Sequence, residues 1–329
     1  MTHVAVEGLR LVRDGRVVLD LPALEFPDGS TTAIFGPNGS GKTSLLRVIA
    51  GLEQPAAGRV VLGPAADRHP VAFAFQQAVF LRGTVRHNLA LGLELRGVGE
   101  SERANRIAEV AQECGIDSLL ERSTARLSSG EAQRVNLART LALRAPVTLL
   151  DEPLAGVDRI GRQALLEDLP RLVATFAATT IIVTHDREEA FRLADRLVVL
   201  VAGKVRAAGR KREIYRRPPD AETAELLGYT ILPGPDGLLA IPPDGLRLGP
   251  GDPQFQLRVG RMVEMESTRL VTGTIGETPA ELRLAEGESS PAPQSLVEVH
   301  AVGAVPLPVL PPRPGSGYVA PSGRGGRVV

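Results

Sequence analysis

The chain has 329 residues, with 38 basic and 38 acidic side chains and no net charge. That balance excludes bulk electrostatic attraction to nucleic acid or to an anionic membrane surface. No uninterrupted apolar run reaches bilayer-spanning length, and the single cysteine, Cys114, excludes an intramolecular disulfide. The segment Met1 to Val6 lacks a basic-then-apolar leader, so no signal peptide is expected. Residues 4 to 35 read as short β segments, the last of them the apolar strand Thr31-Thr32-Ala33-Ile34-Phe35.

That strand runs into Gly36-Pro37-Asn38-Gly39-Ser40-Gly41-Lys42-Thr43, and a helical pattern follows from Ser44 to Ala50. The eight residues fit the phosphate-loop pattern GxxxxGK[ST] in the context it needs, strand before and helix after. Glycines let the backbone close around a phosphate with several N–H groups pointing inward, and the helix turns its positive end to the same anion. Lys42 can reach β- and γ-phosphates and the Thr43 hydroxyl can ligate Mg²⁺. The chain has only three lysines (Lys42, Lys204, Lys211), and one stands at the position where a compact point charge is required.

Further along, Val60-Val61-Leu62 and Val71 to Phe75 are strand candidates. From about 85 to 145 the pattern is helical, with a polar break at Gly97 to Glu100. Ser101 is expected to cap a helix carrying Ile107, Val110 and Ala111 on one face. Cys114 falls in the same amphipathic pattern and reads as a buried thiol. Val147 to Leu150 is a buried strand, 160 to 176 a helix and Thr180 to Thr184 another strand. A hairpin sets Leu197 to Leu200 opposite Lys204 to Arg206 across Ala202-Gly203. This β–α alternation predicts a parallel sheet covered by helices, with a helical insertion. Near Gly228 helical periodicity stops. Short alternating segments (255–259, 269–273, 281–284) predict a small all-β domain over 229–305. Residues 306–329, rich in Pro, Gly and Ser, read as a disordered tail.

Asp151-Glu152 closes the strand Val147 to Leu150. A carboxylate there faces the crevice in which α/β sheets hold ligands. Asp151 would hold Mg²⁺, and Glu152 would polarise an attacking water. The five histidines show no metal-ligand spacing.

Leu127-Ser128-Ser129-Gly130-Glu131-Ala132-Gln133-Arg134-Val135 resembles the LSGGQ signature of ATP-binding-cassette (ABC) ATPases. The other motifs of that family follow in order: Gln76 resembles the glutamine loop, Leu154 to Asp158 the D-loop, and His185 the switch histidine. The resemblance covers residues 4 to 228. It implies an α/β P-loop NTPase core, with a helical subdomain over about 85–145 and a small C-terminal all-β, OB-like domain. It also implies ATP and Mg²⁺ as cofactors, with Thr43, Gln76 and Asp151 around the metal and Glu152, Gln76 and His185 as catalytic residues. The implied site is composite: two cassettes pair head to tail, so that Ser128 and the Gly130 N–H of one reach the γ-phosphate held by the other, with Asp158 at the same junction. Gln76 would couple movement of the helical insertion to a partner.

Three departures from the family pattern stand out. Ser129 replaces the first signature glycine, and Glu131 replaces glutamine, which is expected to set a negative charge near the phosphates. The aromatic residue that usually stacks on adenine is missing, and Arg13 stands at about its place, where a guanidinium could lie on a π-face.

After His185, the run Arg212 to Pro218 and the linker Glu225-Leu226-Leu227-Gly228 resemble importer-type cassettes with a C-terminal regulatory domain. Ile241 to Leu248 resembles the strand motif that opens that domain's barrel. The resemblance implies the ATPase subunit of an importer on the cytoplasmic face of the inner membrane. Its partners would be a second cassette, separate permease subunits and, indirectly, an extracytoplasmic binding protein, with no nucleic acid involved. The cargo class it suggests is an oxyanion such as molybdate, tungstate or sulfate. An exporter ATPase is the alternative, as is a non-transport ATPase of the family acting on DNA or the ribosome. The short insertion, the single cassette and the β domain argue against these.

Overall fold

Apolar and polar residues alternate through most of Val4 to Phe26, with changes of phase at Gly8, at the Asp14-Gly15 turn and at Pro22-Ala23, a pattern of long strands carrying irregularities. The computed structural model describes residues 2–63, 69–235, 237–264, 268–285 and 287–308, the side chains of Thr2 and His3 apart. In it the alternation becomes a hairpin of two 12-residue strands, β1 (Thr2–Arg13) and β2 (Arg16–Pro27). The turn between them, Asp14-Gly15, has φ of 48° and 73°, the left-handed pair that matches strand twist. Leu9, Leu11, Leu19, Leu21 and Phe26 form its buried face.

The chain then enters β3 (Thr31–Phe35), the phosphate loop and α1 (Lys42–Ile49). Strand β4 (Ala57–Leu62) returns to the free edge of β1. The remaining elements up to Arg217 are β5 (Val71–Ala74), α2 (Val85–Leu95), α3 (Glu100–Glu113), α4 (Ser129–Leu141), β6 (Val147–Asp151), α5 (Arg159–Phe176), β7 (Thr179–Thr184), α6 (Arg187–Leu193), β8 (Arg196–Val201), β9 (Lys204–Arg210) and α7 (Lys211–Arg216). Strands order as β5-β6-β7-β3-β8-β9, parallel except for β9. Every residue of β6 and β7 is buried, as expected of central parallel strands covered on both faces. The C-terminal ends of β3, β6 and β7 therefore open together, carrying the phosphate loop, Asp151-Glu152 and His185.

Helices α2, α3 and α4 share their own core, built on Leu89, Leu93, Val110, Ile116, Val135 and Leu141. Ser101 is not a cap. The helix starts one residue earlier, behind an extended Gly99, and its first turn carries Glu100 and Glu102, which complement the positive helix end. Cys114 follows α3 and is buried, and burial pushes its thiol up to about 12. It is a packing residue.

The chain divides into two compact units between Arg217 and Pro218, earlier than the boundary at Gly228 read from the sequence. The reason is α8 (Ala221–Leu226), capped by Asp220, which packs on β10 (Thr230–Gly234) and β11 (Gly237–Ile241) of the second unit. That unit continues with β12 (Leu246–Leu248), β13 (Gln254–Glu264), β14 (Arg269–Ile275), β15 (Thr278–Leu284), β16 (Leu296–Ala301) and β17 (Val305–Leu307). A five-stranded sheet of order β12-β16-β13-β14-β15 brings its two edges, β12 and β15, alongside each other around Leu257, Val271, Leu282 and Val299. The segment 241–248 is not one strand: Pro242-Pro243 ends β11, and the Gly245 N–H closes a turn onto the Pro242 carbonyl before β12. Pro306 and Leu307, read as the start of a tail, pair with β11, and Leu307 is buried. The rest of that tail, 309–329, lies outside the described residues.

Candidate functional site

The phosphate loop is built so that only glycine fits at its ends. A Cβ at Gly36 would sit 2.0 Å from the Leu200 carbonyl oxygen, and one at Gly41, whose φ is +100°, would meet Leu19 at 2.6 Å. Lys42 is buried, and its Nζ donates to the Gly36 and Pro37 carbonyls at 2.9 Å each. Burial lowers its pKa, against the pull of Glu152 and Asp151. A buried ammonium bonded to carbonyl dipoles is a good seat for an anion.

Thr43 lies in the first turn of α1 and its hydroxyl donates to Asp151 Oδ1 at 2.9 Å. Burial raises the Asp151 pKa, and the Thr43 bond works the other way. Two hard oxygens so placed fit Mg²⁺ once phosphate oxygens complete the shell. Among the described residues, no group of three or more His, Cys, Asp or Glu could hold a metal alone.

Glu152 stands in the left-handed region, φ +45°, with its N–H on the Val183 carbonyl at 2.9 Å. Backbone strain of this kind needs support from its surroundings. Gln76 Nε2 donates to Glu152 Oε2 at 2.9 Å, and His185 Nδ1 bonds to Glu152 Oε1 at 3.0 Å. Both carboxylate oxygens are thus oriented by side chains from the ends of two other strands. A carboxylate held this way can take a proton from a water. A cavity of about 250 Å³ joins Arg13, Val18, Asn38, Gly39, Lys42 and Glu152, and a second, of about 340 Å³, runs from Glu152 past His185 to Val157.

Ser128, Gly130 and Asp158 belong to another neighbourhood. Ser128 caps α4, and its Oγ accepts from the Glu131 N–H while the Glu131 carboxylate accepts from the Ser128 N–H, a complete capping box. The other Glu131 oxygen pairs with Arg122 at 2.9 Å. The charge expected near the phosphates is therefore already engaged, and the Ser128 N–H, followed by the Ser128 hydroxyl and Arg122, holds the Glu131 pKa down. A Cβ on Gly130 would meet only Val157, at 3.7 Å. Asp158 caps α5 through the Gly161 N–H at 2.9 Å.

Sequence reading missed the polar stripe Gln133, Asn136 and Arg139 on α4. Gln133 Nε2 donates to the Pro153 carbonyl at 2.7 Å, Asn136 to Phe75 at 3.0 Å, and Arg139 to Val79 at 2.7 Å. The signature helix is thereby tied to the backbone on both sides of Gln76 and just after Glu152. The available signal was amide side chains at helical spacing on a face that is otherwise apolar.

A phosphate loop on a parallel sheet, with a strand-end carboxylate pair and a histidine bonded to it, defines a P-loop nucleoside triphosphatase. The family model described as ABC transporter matches residues 19–155. The Fe(3+) ions import ATP-binding protein FbpC of Streptomyces coelicolor is 40% identical over 233 residues, 69% of this chain and 67% of that protein. The sn-glycerol-3-phosphate import ATP-binding protein UgpC 3 of Agrobacterium fabrum is 34% identical over 315 residues, 93% of this chain and 86% of that protein. The solved structure of cbiO1 from Clostridium perfringens, part of the ABC transporter complex cbiONQ, superposes with a TM-score of 0.58 at 26% identity, over 65% of this chain and 90% of that one. The chain belongs to the ABC transporter ATP-binding subunits of importer type, ATPases that work with membrane permease components. No helix among the described residues is long and apolar enough to cross a membrane.

Proposed function

We propose that two copies of this chain pair head to tail and hydrolyse MgATP at the junctions, on the cytoplasmic face of the inner membrane, to drive import through separate permease subunits. The observation that carries this reading is the network Gln76–Glu152–His185 beside Lys42 and Thr43–Asp151, with the signature residues held elsewhere. Binding draws Lys42 from its own loop carbonyls to the β- and γ-phosphates. Thr43 and Asp151 would hold Mg²⁺, with Gln76 beside them, and the bound ion would supply charge neutralisation at the phosphates. Glu152 takes the proton of the attacking water, and Gln76 and His185 keep its carboxylate aimed. Ser128 and the Gly130 N–H, at the positive end of α4, complete the site of the opposite copy, with Asp158 at the same seam.

The cargoes named for the relatives carry opposite charges, ferric iron in one and a phosphate ester in the other. The nucleotide-handling chain is thus shared among cargoes, and selection lies with the permease and an extracytoplasmic binding protein. An oxyanion such as molybdate, tungstate or sulfate is the class we retain, and the phosphate ester is in keeping with it.

Glu152→Gln tests the reading. It keeps shape and hydrogen bonding but removes the base, so hydrolysis should fall by about 10²–10⁴. ATP binding should persist, and light scattering should find an ATP-dependent dimer that the wild type forms only transiently. Near-wild-type turnover, or a monomer in saturating ATP, overturns it.

A further inference from the structure

Helix α1 carries the phosphate loop at one end and an unassigned carboxylate at the other. It closes in a Schellman turn. Gly51 has φ +70°, its N–H bonds to the Val48 carbonyl at 3.0 Å, and the Leu52 N–H bonds to the Arg47 carbonyl at 2.8 Å. That turn fixes the next residue, Glu53, whose side chain is only 20% exposed. Glu53 takes Arg13 in a two-point pair: Arg13 Nε donates to Oε1 at 2.7 Å, and Nη2 donates to Oε2. Arg13 ends β1, and with Val18 it lines the cavity that also holds Lys42 and Thr43.

Lys42 is buried, whereas the Arg13 side chain is 43% exposed, so these two cations mark the inner and outer ends of the cavity. A triphosphate seated on Lys42 sends its nucleoside outward, toward Arg13 and Val18. The pair with Glu53 occupies one edge of the guanidinium. It fixes the plane and leaves the π-faces free of hydrogen bonds. It also cancels the local charge, so the group offers a flat surface to a base more than an attraction to phosphate.

We propose that Glu53 is a positioning residue that holds Arg13 as a stacking platform for the base of the bound nucleotide. The proposal rests on the cavity being the nucleotide site, as read above. The ion pair is solvent-accessible on its Arg13 side and neither partner belongs to the buried core, so the platform can be dismantled with the fold intact.

The test compares affinities for ATP and for inorganic tripolyphosphate, both with Mg²⁺, by calorimetry on the full chain. The ratio of the two reports what the nucleoside contributes and offsets most of any general change in charge. Arg13→Ala should lower the ratio roughly two- to fivefold. Glu53→Ala should lower it in the same direction, and Glu53→Gln, which keeps one acceptor, should lower it less. In an Arg13→Tyr background the ring needs no carboxylate, so adding Glu53→Ala should leave the ratio unchanged. A wild-type ratio in Glu53→Ala, or an equal fall in the Arg13→Tyr background, overturns the platform while leaving the phosphate site standing. Failure of the wild type to bind either ligand removes the nucleotide site, and the platform with it.

Discussion

The two parts of the nucleotide machinery differ in how far one chain completes them. Around Lys42, Asp151 and Glu152, side chains from four strand ends meet: Thr43 on Asp151, Gln76 and His185 on Glu152. At the signature, Ser128 and Asp158 bond, among the described residues, to the starts of their own helices. Gly130 has open space apart from Val157. The first region is organised before any ligand arrives, which is what positioning a reacting water requires. The second presents a helix N-terminus and small residues, a surface suited to meeting a phosphate from outside. Under the proposed head-to-tail pairing, one chain would hold half of each of two sites, and movement of the helical part would make or break both.

The comparison breaks most readily at Lys42. Lys42→Ala removes the buried cation from the organised region, so affinity for a fluorescent ATP analogue should fall roughly 10- to 100-fold and turnover should vanish. An unchanged affinity in a folded variant would falsify the phosphate-loop assignment. Gly130→Asp sharpens the contrast from the other side. A Cβ is accommodated there within the single chain, with Val157 at 3.7 Å in ordinary contact. Melting temperature and analogue binding by the monomer should stay at wild-type levels. The carboxylate would nevertheless oppose a phosphate arriving across the junction, and turnover should fall by about 10²-fold or more. Loss of monomer binding would place the signature in the chain's own site and remove the division between the two regions.

The organised region was legible in the sequence because its parts sit at strand ends in patterns that chemistry dictates: Lys42 and Thr43 after β3, Asp151-Glu152 after β6, His185 after β7. The bonds that join them were not, because each runs between segments far apart in the chain. Gln76 meets Glu152 across 76 positions, and only the order of parallel strands makes them neighbours. Glu53 was invisible for the same reason; nothing local in Gly51 to Pro55 announces that a Schellman turn will hand a carboxylate to Arg13. The β1–β2 hairpin reads as short segments in the sequence because its alternation changes phase at Gly8 and at Pro22-Ala23, and only pairing between the strands carries each one through those points. The early start of the second unit reflects α8, whose pattern is helical but whose packing partners are strands.

The smallest effect lies at Glu131, where sequence and structure lead to different expectations. On sequence alone, its charge should weaken ATP binding. In the structure, one carboxylate oxygen serves the capping box and the other pairs with Arg122. Glu131→Gln keeps the capping box, since glutamine also serves at that position, and loses the ion pair. The Arg122 and Glu131 side chains are 45% and 32% exposed, so the loss should be about 0.2–1 kcal/mol and should shrink as salt screens it. The pH dependence has a definite sign. The Ser128 N–H, the Ser128 hydroxyl and Arg122 hold the folded pKa of Glu131 below its ordinary value. The stabilisation is therefore complete above the ordinary carboxylate range and is lost as pH falls through the folded value. Urea midpoints of wild type and variant should differ at neutral pH and converge in acid. ATP affinity should change by less than about twofold, because the charge removed was already paired. A large gain in affinity would show that the carboxylate leaves its cap to face the phosphates, and that the signature is less fixed than its capping box implies.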